Sequence, residues 1–131
     1  MIVKMSVRGH EPPRKSHRAV GWNAAIRRAA SPYHGKINCM NGYRITMVFY
    51  ILRPWGHMTR EGVRASAPKY PLTLPDLPHL VTVTVTEMAR AMGIEKRWCW
   101  SVETTKQWVC DKDLQGVDII IGTTDEKECS I

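Results

Sequence analysis

The spacing of hydrophobic positions changes along this chain, and the changes mark out its elements. Residues 2–7, Ile-Val-Lys-Met-Ser-Val, are apolar-rich and partly alternating, which predicts an opening strand. From Gly9 to Gly21 the pattern stops. Pro12-Pro13 and the cations Arg14, Lys15 and Arg18, just past Arg8, read as a basic loop. Trp22, Ala25, Ile26, Ala29 and Ala30 then recur at helical spacing, with Arg27 and Arg28 on the polar side. Ser31-Pro32 ends that helix, because the residue before a proline disfavours the helical region. Residues 44–52 (RITMVFYIL) are β-branched and aromatic and form the strongest strand signal. Their nearly continuous apolar character predicts a central strand covered on both faces.

Residues 53–75 carry four prolines and no convincing element, and a connection of that length inside a small domain is usually functional or disordered. Residues 76–93 support two incompatible patterns. Val81 to Thr86 alternates strictly, as a strand would. With their flanks, Leu80, Val81, Thr84, Val85, Met88, Ala91 and Met92 also form a helical face, with Asp76 at an N-cap and Gly93 just past the end. Local propensity favours the strand. Residues 98–102 and 106–110 look like pieces of one bent strand or a strand pair, with Trp98 and Trp100 sharing a face. Residues 111–113 form a turn, 117–122 (VDIIIG) a final strand, and 123–131 an acidic tail expected to fray.

Composition narrows the class. At 131 residues, 44% hydrophobic and 24% charged, the chain reads as one soluble domain with no linker or internal repeat. No apolar run approaches the roughly 20 residues of a membrane span, and the first residues lack a secretory pattern, so a cytoplasmic protein is expected. Cys39, Cys99, Cys110 and Cys129 form no CxxC pair and lack zinc-finger spacing with histidines, so they read as buried or incidental thiols. Charge is uneven. Residues 1–70 hold thirteen Lys and Arg against Glu11 and Glu61, whereas residues 71–131 hold six against ten acids. A basic half of this kind attracts polyanions such as nucleic acid, although a solubilising surface has the same composition.

Several segments, in order, resemble the RusA family of Holliday-junction resolvases, especially versions carried by phages. Residues 48–71 (VFYILRPWGHMTREGVRASAPKYP) look like the family's strand, "RPxxH" turn and "SAPxYP" stretch. LPDLPHL at 74–80 stands where the family has KPDLDNL, and TEMARAMGI stands at its "DALTG" helix end. IEKRWCWSVETTKQWV falls where an Asp-Asp pair, a strand and a Thr-Lys-aromatic run are expected, and VDIIIG matches the closing strand. The resemblance implies an α+β fold with a small mixed sheet of about four strands and two main helices. It also implies that residues 78–92 are helical, against their local propensity. The basic half 1–70, the acidic-motif half 71–122 and the tail 123–131 then belong to one domain.

The same resemblance implies Mg²⁺-dependent (or Mn²⁺-dependent) cleavage of branched DNA by a homodimer. Such an ion wants carboxylate and water oxygens converging on one point. Here Asp76 fills the first acidic slot, but Pro78 occupies the second and Thr82 the place of the family's lysine. At the Asp-Asp pair stand Glu95 and Lys96, and Glu87 is the nearest substitute acid on the helix. The expected catalytic residues are therefore Asp76 and Glu95, with Glu87 as a third metal ligand. Asp76 is equally read as a helix cap. The expected DNA contacts are Arg8, Arg14, Lys15, Arg18, Arg27, Arg28, Arg53, Arg60, Arg64 and Lys69, interleaved in the long loop with Trp55, His57 and Tyr70. The incomplete acidic set favours an alternative, a non-cutting derivative of the fold that binds DNA or a host defence protein.

Overall fold

The computed structural model describes residues 1–10, 20–72 and 75–124. Its architecture is α+β: a four-stranded mixed sheet, a separate two-stranded hairpin and two helices. The strands are β1 (Ile2–Arg8), β2 (Tyr43–Leu52), β3 (Met58–Thr59), β4 (Gly62–Val63), β5 (Cys99–Val109) and β6 (Gly116–Thr123). The helices are α1 (Val20–Ala30) and α2 (Leu77–Met92). The main sheet runs β1-β6-β2-β5, with β2 and β5 parallel and the other pairs antiparallel.

Strand alternation supplies one wall of the core. Val3, Met5 and Val7 of β1, Ile45, Met47, Phe49 and Ile51 of β2, and Val117, Ile119 and Ile121 of β6 are buried on a single face. Both helices cover that face. Their stripes fit it: Trp22, Ile26 and Ala30 of α1 are buried at four-residue spacing, and so are Leu80, Thr84, Met88 and Met92 of α2. The expected two-sided cover of β2 is not found, since Arg44 and Thr46 are exposed and Val48, Tyr50 and Leu52 only half-buried. The run looked continuous because apolar side chains also occupy its open face.

The helix wins at 81–86, and the magnitudes show why. Six β-branched residues cost on the order of 3 kcal/mol of helix propensity relative to Ala. Burying Leu80, Val85, Met88 and Met92 returns roughly 1.5–3 kcal/mol for each side chain. A strand would leave Met88 and Met92 out of the pattern. The one polar group in the stripe is satisfied, because Trp22 Nε1 donates to Thr84 Oγ1 at 3.1 Å. Gly93 ends the helix in a left-handed conformation (φ 71°), its N–H donating to the carbonyls of Ala89 and Arg90.

One open alternative is resolved and two further expectations change. Residues 99–109 form one strand, with a register shift beside Tyr43 that leaves Trp100 as an extra residue. Trp98 therefore packs against the core from a 3₁₀ turn (Lys96–Trp98), while Trp100 is exposed with Arg44 5.5 Å over its ring. The two do not share a face. The segment 53–75 holds the β3–β4 hairpin and a 3₁₀ turn (Trp55–His57), where no element was expected. Its prolines had hidden a hairpin only two residues long on each side. The acidic tail from residue 125 onward lies outside the described residues.

Two tests follow from the packing. A Cβ at Gly116 (φ 149°) would run into the Val7 carbonyl, whereas nothing stands within 4 Å of one at Gly122. Gly116→Ala is expected to cost more than about 3 kcal/mol and Gly122→Ala within about 1 kcal/mol, measured by urea unfolding. The second test concerns pH. Burial, with smaller contributions from Cys99, Cys39 and Glu95, pushes the Tyr43 phenol above its ordinary value of 10.0. Burial likewise raises the Cys39 and Cys99 thiols above 9.0. Such groups favour the folded state while protonated, so their contribution is complete below about pH 9 and lost as pH rises through their folded values. Unfolding free energy is expected to fall steeply above pH 10, and less so in Tyr43→Phe; equal slopes for both proteins would contradict the assignment.

Candidate nucleic-acid interface

The acidic residues come first, because they decide whether a metal centre can form. Asp76 has the extended backbone of an N-cap, and its carbonyl accepts from Leu80 N at 3.1 Å to start α2. Its carboxylate makes no capping bond. Pro78, at the second helical position, lacks one of the two N–H groups that a cap would use. The side chain is exposed, and Asp76 lines a cavity with Lys106, whose Nζ donates to Pro75 O at 2.9 Å. Glu95 follows the other end of α2. It precedes the Lys96–Trp98 turn, and its carbonyl accepts from the Tyr43 hydroxyl at 3.0 Å.

The structure does not bring the two acids together. α2 is 16 residues long, so its axis spans about 24 Å. The sheet gives a second ruler. Tyr43 opens β2, whereas Lys106 lies opposite Phe49 near the far end, about 20 Å along the strand. Carboxylates sharing one Mg²⁺ hold their oxygens about 2 Å from it, and so within about 4 Å of each other. Glu87 joins neither acid. It is buried between the helices, 3.0 Å from Arg27 Nε and 3.7 Å from Arg90 Nη1. Asp76, Glu87 and Glu95 thus do not fit a common Mg²⁺ or Mn²⁺.

The cations are better grouped. Arg8 ends β1 and Arg53 follows β2, and both strands finish at the same end of the sheet, where Gly116 pairs with Arg8 and with Tyr50. Arg8 bonds Asp118 at 2.9 Å and lies over the Tyr50 ring. The long loop is pinned to this end by its own arginines. Arg53 Nη1 and Trp108 Nε1 both donate to Pro68 O, Arg53 lies 5.0 Å over the Trp108 ring, and Arg64 Nε donates to Gly56 O at 3.0 Å. Arg60 is exposed at the hairpin turn, and Lys69 lies over the Tyr70 ring. Arg27 is taken by Glu87, and Arg28 is exposed farther along α1. Arg14, Lys15 and Arg18 lie outside the described residues.

Two exposed aromatic side chains stand at this end, and Trp100 at the other. Trp55 is 90% exposed and Tyr70 60%, so neither packs against the core. Arg53 Nε and His57 Nδ1 are buried at the base of the loop without a hydrogen-bond partner, an arrangement that costs stability unless water or a ligand answers it. Lys106 and Trp108 belong to this constellation although nothing in their local sequence pointed there. Only the parallel pairing of β5 with β2 carries them to the foot of the loop. The ends of parallel strands, where the crossover helix begins, are a common place for ligands. Cations surrounding an exposed indole can neutralise phosphates and stack on an unpaired base. No family model matches the chain, and no curated protein matches it in sequence.

The Glu87 cluster is expected to be structural, and its asymmetry is testable. The arginine side chains are 55% and 72% exposed, whereas that of Glu87 is 8% exposed. Arg27→Ala leaves a buried carboxylate poorly paired and is expected to cost about 1–3 kcal/mol. Glu87→Gln releases two arginines that water can solvate, and is expected to cost less. Thermal unfolding of both variants decides the order.

Proposed function

We propose that this chain is a RusA-like domain that binds branched or partly single-stranded DNA and does not assemble the family's metal centre. The observation that carries this reading is the exposed Trp55 in a loop at one end of the sheet that also carries Arg53, Arg60, Arg64 and Lys69. Phosphates would be neutralised mainly by Arg60, Lys69 and Arg8, whose contacts are irrespective of sequence. Arg53 and Arg64 act differently, holding the loop in shape through backbone carbonyls. Trp55 supplies a flat apolar surface that fully paired DNA cannot use and a branch point can. A homodimer would present two such ends, matching the symmetry of a four-way junction.

Cleavage is not part of the proposal, because the carboxylates that would position and activate water stand at opposite ends of α2. In a binding assay, a synthetic four-way junction and a single strand are expected to bind more tightly than plain duplex. Affinity should fall with added salt, as counterion release requires. Trp55→Ala is expected to cost about 1–3 kcal/mol of binding and to remove the preference for branched or single strands. Equal affinity for duplex, or no effect of Trp55→Ala, counts against the reading. Nicking in Mg²⁺ or Mn²⁺ that disappears in Asp76→Asn would restore the nuclease.

A further inference from the structure

We propose that the outer edge of β5, with the groove between that strand and α2, takes up an extended acidic peptide as an added strand. This inference does not rest on the DNA-binding reading, and it concerns a different part of the surface. β5 is the last strand on its side of the sheet, and among the described residues no strand pairs with its outer edge. Beyond the bulge at Trp100, residues 101–109 present alternate N–H and C=O groups outward. Natural edges are usually shorter or blunted, because such a row is a template for another chain.

The flank of the edge is shaped for side chains. Val102 lies on the helix-facing side of β5, opposite buried Ile45, yet is 44% exposed, so that α2 leaves an open groove along the strand. The resulting groove has Val81, Val85 and Val102 as its apolar lining. Thr104, next on the same face, keeps a buried hydroxyl without a hydrogen-bond partner. Lys96 and Arg97 stand at one end of the groove, both exposed. Lys96 is anchored by a 3.3 Å bond to Thr86 Oγ1. Glu103 does not cancel them, since it lines a cavity on the opposite face of the sheet. Free edge, apolar slot and cationic end together specify a strand whose alternate side chains, all facing the groove, are apolar over the valines and acidic at the Lys96–Arg97 end, its main chain bonded to β5. Duplex DNA would gain nothing from the valines or from the edge.

The test uses the whole chain, labelled for amide NMR, and a capped heptapeptide Glu-Ser-Val-Ser-Val-Ser-Glu, which puts both valines and an acid at either end on one face. Shifts are expected at residues 81–86 and 96–105. The double variant Lys96→Glu, Arg97→Glu should weaken binding about tenfold while leaving DNA binding intact. A peptide N-methylated at alternate residues, which cannot donate along the edge, should not bind. A lysine-valine peptide should bind more weakly. The proposal is overturned if the N-methylated or lysine peptide binds equally well, or if shifts fall elsewhere or are absent at millimolar peptide. It is also overturned if the same amides shift on raising protein concentration alone, because a second copy would then hold the edge. Loss of DNA binding in the double variant would instead assign Lys96 and Arg97 to nucleic acid and equally reject the peptide.

Discussion

The seating of α2 against α1 and the helix-facing side of the sheet is the contact on which the rest of the molecule depends. Leu80, Thr84, Met88 and Met92 form one line along the helix, and each is at most 1% exposed. That burial overrides the strand propensity of Val81 to Thr86. It also fixes the helix axially, because the Trp22 indole both stacks against Phe49 (ring centroids 6.3 Å apart) and bonds Thr84. β2, α2 and β5 thereby become a parallel crossover unit, and α1 is clamped alongside by the Arg27–Glu87 pair. A strand at 81–86 would remove the crossover and with it the parallel placement of β5.

The functional geography follows from that one placement. A crossover helix must begin near the end of its first strand and finish near the start of the next. Asp76 and Glu95, which bracket α2, are therefore carried apart by the element that joins them in sequence. The same rule gathers residues that are distant in the chain. The ends of β1, β2 and β5 bring Arg8, Arg53, Lys106 and Trp108 to the foot of one loop, and that loop exposes an indole. No helix is long and apolar enough to cross a membrane among the described residues.

Cover on only one face leaves the sheet with an open side, and its chemistry is mixed rather than apolar. Arg8 bridges Asp118 and Tyr50 there, and Arg44 lies over Trp100, whose indole donates to Thr124 Oγ1 at 2.8 Å. Long cationic side chains laid across aromatic rings shield those rings while keeping charge in water. On the helix-facing side of β5, Val102 has no such cover and is 44% exposed.

By itself, the sequence determined the strands at 2–7, 44–52 and 117–122, the stripe of α1 and the basic character of the first half, because period and charge are local properties. It also determined that Pro78, Thr82 and Lys96 depart from the motif of the family it resembles, since residue identity is legible without coordinates. Local propensity at 81–86 favours a strand, and the RusA-like resemblance was needed to expect the helix that the structure contains. The tertiary structure alone decided that Asp76 and Glu95 stand apart, that Glu87 is spent on two arginines, and that Lys106 and Trp108 join the basic loop. Distances between residues far apart in sequence depend on strand pairing and on which face a helix covers. Those are set by summed burial over many side chains, which no local window contains.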